Sequence, residues 1–172
     1  MKLYKLIMIA FVAVMVVSCS TDYDVNEYFD LEELPGYVAF DASGNNATVA
    51  DQSITEDGGS VGVIVENPTG TESDITVTYS LSGDAEFGVD YTIDGASASG
   101  GTVVISSDRG NVAETYRATI TVTALTDDVV DGDKTLTLTL TGASNAAGEV
   151  AVGRGGTDFQ KSANVIFTDI DM

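Results

Sequence analysis

From Tyr37 onward, hydrophobic and polar residues alternate with a period of two. Val61, Val63 and Val65 recur at every second position around Gly62 and Ile64, and Ile75, Val77, Tyr79 and Leu81 alternate with Thr76, Thr78 and Ser80. Ala118, Ile120, Val122 and Ala124 alternate with threonines, as do Leu136, Leu138 and Leu140. Successive side chains of a strand point to opposite faces, so these runs pair a dry aliphatic face with a wet threonine face. Gly- and Asp-rich breaks fall at 41–46, 57–60, 67–70, 94–101, 108–111, 127–133 and 153–157. The pattern predicts about seven or eight strands, near 37–41, 47–55, 60–67, 73–83, 101–107, 114–125, 134–144 and 161–168. Helical spacing is absent from this stretch. Short alternating strands with turns between them predict one all-β antiparallel sandwich over 37–172.

The start of the chain follows a different pattern. Lys2 and Lys5 precede an apolar run from Leu6 to Val17, and the single cysteine follows at Cys19. A run that short suits a signal-peptide core, because spanning a bilayer takes about 20 apolar residues. Val16-Val17-Ser18-Cys19 resembles a bacterial lipobox. The resemblance implies that 1–18 is a lipoprotein signal peptide, that cleavage exposes Cys19, and that Cys19 is lipidated. Several acyl chains give lasting membrane attachment. The alternative is an ordinary secretory signal with a chance cysteine. Residues 19–36 read as a tether holding six acidic residues and ending in Leu34-Pro35-Gly36. Its acidic patch resembles the surface-export signal of Bacteroidetes lipoproteins, which implies an outer-membrane anchor with the domain on the cell surface. A plain acidic linker, with the domain facing the periplasm, is the other reading.

Charge narrows the partners. The chain has 7 basic and 27 acidic residues, a net of −20, and removing the signal segment leaves five basic residues. Phosphate binding needs clustered Lys and Arg, so nucleic acid is excluded as a partner. Solubility accounts for such charge, as does repulsion between crowded surface neighbours; a third account is functional, clustered carboxylates that bind calcium. The chain has no His, no Trp and one Cys. An intrachain disulfide, the usual Cys/His zinc site and imidazole-dependent hydrolase triads are all excluded.

Four segments resemble, in order, the landmarks of the Calx-beta domain, an immunoglobulin-like sandwich. They are Thr55-Glu56-Asp57-Gly58-Gly59-Ser60-Val61, Ala85-Glu86-Phe87-Gly88-Val89-Asp90-Tyr91, Leu125 to Leu136, and Ala163 to Asp171. The second carries the family's Ala-x-x-Gly-x-Asp-Tyr signature. In calcium-binding members, acidic residues from these places converge at one end. The resemblance therefore implies metal ligation by Glu56, Asp90, Asp127, Asp131, Asp169 and Asp171. Calcium takes six to eight oxygen ligands, which loops supply without distorting strands. Three departures reduce the number of ions implied: Lys134 replaces a ligating Glu, Thr126 an Asp, and Ile170 interrupts the closing aspartates. Solvated acidic loops that hold no ion are the competing reading. Tyr91 is expected as an inward-facing core aromatic.

These readings converge on a non-enzymatic, lipid-anchored module, with calcium the one cofactor expected, that contacts a neighbouring surface protein or a glycan. A sandwich whose sheet edge pairs with a partner strand is a second reading, without metal. A carboxylate-based glycan-active enzyme is the third.

Overall fold

The described residues form ten strands. These are β1 Tyr37–Phe40, β2 Gln52–Thr55, β3 Gly59–Glu66, β4 Ile75–Gly83, β5 Tyr91–Ile93, β6 Gly100–Ile105, β7 Arg117–Ala124, β8 Lys134–Asn145, β9 Gly148–Val152 and β10 Ser162–Thr168. The computed structural model describes residues 36–42, 48–108, 116–126 and 129–171. The signal segment, Cys19, the tether through residue 35 and Asp127 lie outside the described residues.

One layer runs β1–β3–β7–β5, and the other runs β2–β10–β8–β4–β6. Strand β9 joins them, pairing with β8 on one side and β1 on the other. The inward faces are those the alternation assigns. Val63 and Val65 from β3 and Ile120 and Val122 from β7 meet Ile75 and Val77 from β4. Leu136, Leu138 and Leu140 from β8 and Val165 and Phe167 from β10 complete the same core.

Three features differ from the sequence expectation. Strands β5 and β9 are additional: β5 has three residues, too few for a period-two signal, and β9 has no buried position. The run expected at 47–55 is a strand only from Gln52, which is where pairing with β10 begins. Two pairings, β1–β9 and β2–β10, are parallel. A parallel pair needs a long crossover, and more than a hundred intervening residues provide it here. The break at 153–157 holds a three-residue 3-10 turn, Arg154–Gly156, kinked at a left-handed Gly155.

Gly83 closes β4 beside the start of β8 with φ +123°, and a Cβ there meets the Thr135 carbonyl oxygen at 2.0 Å. Gly83→Ala is therefore expected to destabilise the protein by more than about 1 kcal/mol. Gly142→Ala, where an added Cβ meets nothing within 4 Å, is the control expected to change the melting temperature little. Thermal unfolding of the two variants checks this pair.

Candidate metal centre

The strand pairing by itself carries the acidic segments to one end. Because β2 and β10 are parallel and Thr55 pairs with Thr168, Glu56 and Asp169 both leave the sheet at the same rim. Strand β8 is antiparallel to β10, so Lys134 opposite Phe167 brings the loop before β8 there too. Gly83 pairs with Leu136, and both Tyr91 and Gly59 pair with Ala124. The turn holding Asp90 therefore reaches the same rim.

Of the six candidate ligands, the five described ones form two linked groups. In the first, carboxylate oxygens of Glu56, Asp169 and Asp171 all lie within 4.8 Å of one another. Glu56 is buried, with 3% of its surface exposed, and its N–H donates to the Thr168 carbonyl at 3.3 Å. Asp169 is fixed by backbone donors: its Oδ2 accepts from the N–H groups of Asp131 (3.0 Å) and Gly132 (2.7 Å), and its Oδ1 from Asp171 N–H (2.8 Å). Its own N–H donates to Asp133 Oδ1 at 3.1 Å. The Gly132 N–H foremost, then the Asp171 N–H, hold the Asp169 carboxyl below its ordinary value of 3.8.

The second group already holds a cation, one ammonium between two carboxylates. Asp90 has 2% of its surface exposed, and its Oδ1 accepts a hydrogen bond from Lys134 Nζ at 2.9 Å. The same ammonium forms an ion pair with Asp131 Oδ2. Asp90 Oδ2 accepts from the Glu86 N–H, and the Asp90 carbonyl from Leu125 N–H at 2.8 Å. The hydrogen bonds to Asp131 and then Asp90 raise the Lys134 ammonium well above the ordinary lysine range, against the opposing effect of burial. The groups are joined, because Asp131 contributes its side chain to Lys134 and its backbone N–H to Asp169.

Some members of this network were not among the sequence candidates. Lys134 was noted as a departure from the ligand pattern, and here it is the cation of the second group. Asp133 positions Asp169, and Asp84 Oδ1 accepts from Thr135 N–H at 2.6 Å, tying the end of β4 to β8. The Asp131-x-x-Lys134 spacing was the available sequence signal for the first of these. Tyr91 is the core aromatic expected: 2% exposed, edge-on to Phe87 at 5.6 Å and stacked on Phe167 at 5.5 Å. Burial, then the Asp90 charge, raises its hydroxyl above the ordinary tyrosine value.

The first group suits a hard cation. Calcium–oxygen distances of about 2.3–2.6 Å place two ligands on one ion at most about 5 Å apart, which the 4.8 Å spread satisfies. Three carboxylates offer at most six oxygens, and none of the three residues is a soft ligand. Buried Glu56 Oε2 and Asp171 Oδ2 accept no hydrogen bond, while both residues make other interactions.

No protein-family model and no curated protein matches the chain. Solved structures do. The apo-form Calx CBD1 domain matches with a TM-score of 0.55 at 18% identity, over 80% of this chain and 99% of that one. The Calx CBD2 domain matches with a TM-score of 0.52 at 14% identity, over 78% and 86%. The calcium binding domain CBD12 of CALX1.1 matches with a TM-score of 0.53 at 19% identity, over 78% of this chain and 44% of that one. At these identities the likeness establishes the fold. This chain folds as a Calx-beta-like β-sandwich.

Asp169 tests the network by pH. A carboxyl held below 3.8 by native-state donors stabilises the fold above that pH, and the contribution disappears as the pH falls through its depressed value. Denaturation of wild type and Asp169→Ala is expected to show a stability gap at neutral pH that closes as the pH drops below 3.8. The amides of Asp131 and Gly132 are expected to exchange hydrogen faster in the variant at neutral pH.

Proposed function

We propose that this protein is a non-enzymatic binding module, anchored to an outer membrane through lipidated Cys19, whose acidic end takes calcium and presents a contact surface at the cell face. The convergence of Glu56, Asp169 and Asp171 oxygens within 4.8 Å carries the calcium reading. Isolated carboxylates this close repel one another, and a divalent ion relieves that repulsion. The likeness to calcium-binding Calx domains supports it at the level of fold, which alone is weak evidence of function.

The lipobox-like Val16-Val17-Ser18-Cys19 and the acidic segment after it support the anchor and the surface location. Among the described residues, Val89 (46% exposed), Val130 (65%) and Ile170 (45%) stand directly beside Asp90, Asp131 and Asp169. Aliphatic side chains interleaved with carboxylates suit contact with a protein or a glycan better than contact with an anionic lipid surface, which the net charge of −20 repels. The composition supports the absence of catalysis by imidazole-based triads, and the lack of Trp argues against a sugar-stacking cleft.

Extracellular calcium modules bind with dissociation constants of about 10⁻⁴–10⁻³ M. A site at the tighter end, filled at about 10 mM calcium, adds about 2.7 kcal/mol of stability. Calcium is expected to raise the melting temperature of the wild type, and the rise is expected to vanish in Glu56→Gln and in Asp171→Asn. A melt that calcium leaves unmoved excludes the ion. For the anchor, metabolic labelling with a radioactive fatty acid is expected to mark the wild type and not Cys19→Ala.

A further inference from the structure

We infer that Lys134 is a resident cation, doing for Asp90 and Asp131 what a divalent ion does in a carboxylate cluster and so confining calcium to Glu56, Asp169 and Asp171. The inference rests, for the place it leaves to calcium, on the function proposed above. The role assigned to Lys134 rests on the geometry of its own contacts.

Asp90 is the constraint. A carboxylate buried to 2% exposure is tolerated only with a counterion and hydrogen bonds, because its charge is strongly disfavoured away from water. Lys134 Nζ supplies the counterion at 2.9 Å, from a side chain that is itself 20% exposed. The ammonium also holds Asp131, so one cation bridges two loops that are 44 residues apart at Asp90 and Lys134. The other ion pairs among the described residues lie elsewhere, Arg117 with Asp41 and Glu66, and Lys161 with Asp158. Among the described residues, the positive charge paired to this end is that of Lys134.

The bridge also reaches the proposed calcium ligands. Holding the Asp131 side chain fixes the backbone N–H groups of Asp131 and Gly132, which hold Asp169 Oδ2 at 3.0 and 2.7 Å. Asp169 is therefore oriented toward Glu56 and Asp171 before any ion arrives. A divalent ion placed between Asp90 and Asp131 meets an ammonium already there. The end of the sandwich is thus ordered without calcium, with room for one ion group in place of two. Removing the ammonium, on this account, converts the Asp90–Asp131 pair into a second cation site and makes its order depend on calcium.

The test compares full-length wild type, Lys134→Gln, Lys134→Arg and the double variant Asp90→Asn/Lys134→Gln by thermal melting, in chelator and across a calcium chloride series. Isothermal titration calorimetry then counts the ions. In chelator, Lys134→Gln is expected to melt at least about 5 °C below wild type, with Lys134→Arg close to wild type. The double variant is expected to recover part of that loss, because no buried charge is left alone. Calcium is expected to restore most of the loss in Lys134→Gln, giving a larger calcium-dependent shift than in wild type and a higher ion count.

Equal calcium shifts and equal ion counts in wild type and Lys134→Gln overturn the inference, as does a Lys134→Gln melt unchanged in chelator. If Lys134→Gln folds only with calcium, the inference is supported. If neither it nor the double variant folds in either condition, the ammonium is not acting as a counterion and the inference fails. The two proposals separate cleanly: a wild type blind to calcium beside a responsive Lys134→Gln ends the Glu56–Asp169–Asp171 reading and keeps this one. A responsive wild type with an equally responsive Lys134→Gln does the reverse.

Discussion

The organisation of this protein's acidic end depends on placing one carboxylate, Asp90, where water does not reach it. Its two oxygens and its backbone are fully used: Oδ1 by the Lys134 ammonium, Oδ2 by the Glu86 N–H, and the carbonyl by Leu125 N–H. The Glu86 bond closes the turn between β4 and β5 on itself, and the other two tie that turn to the start of β8 and to the residue after β7. A buried ion pair of this kind contributes little net stability beside an apolar replacement of the same shape. Breaking it by removing one partner costs about 3–5 kcal/mol, because the other charge is left stranded. Its value here is positional, since it fixes which loops meet.

From that anchor the rest of the end is arranged by the sheet. Parallel pairing of β2 with β10 and antiparallel pairing of β8 with β10 deliver Glu56, Asp131 and Asp169 to one rim. Backbone N–H groups of Asp131 and Gly132 then aim Asp169 at Glu56 and Asp171. The result is a graded site. One part has half of its carboxylate charge offset by an ammonium, and the other presents three carboxylates within the span of a single cation. Exposed Val89, Val130 and Ile170 border both parts, so the same rim offers apolar contact beside its charge.

The edges of the sandwich show another consequence of composition. Strand β6 pairs only with β4 among the described residues, and it carries no charged residue between Gly100 and Ile105. Natural edge strands are usually blunted by charge, proline or short length. Strands β2 and β5 follow that rule by being short, with four and three residues.

The sequence alone determined the all-β sandwich, most of its strands and the faces they bury. Alternation is a local property, and burial of Leu136, Leu138 and Leu140 against Val63 and Val65 rewards it directly. The acidic segments holding Glu56, Asp90, Asp127, Asp131, Asp169 and Asp171 were named through their resemblance to the Calx-beta landmarks. Strand β5 and strand β9 escaped the alternation, since three residues or an unburied face leave no periodic signal. Which carboxylates share a cation was decided only by the tertiary structure. Lys134 lies 44 residues from Asp90 in the chain and 2.9 Å from it in space, and only the register of β8 against β10 and β4 closes that distance.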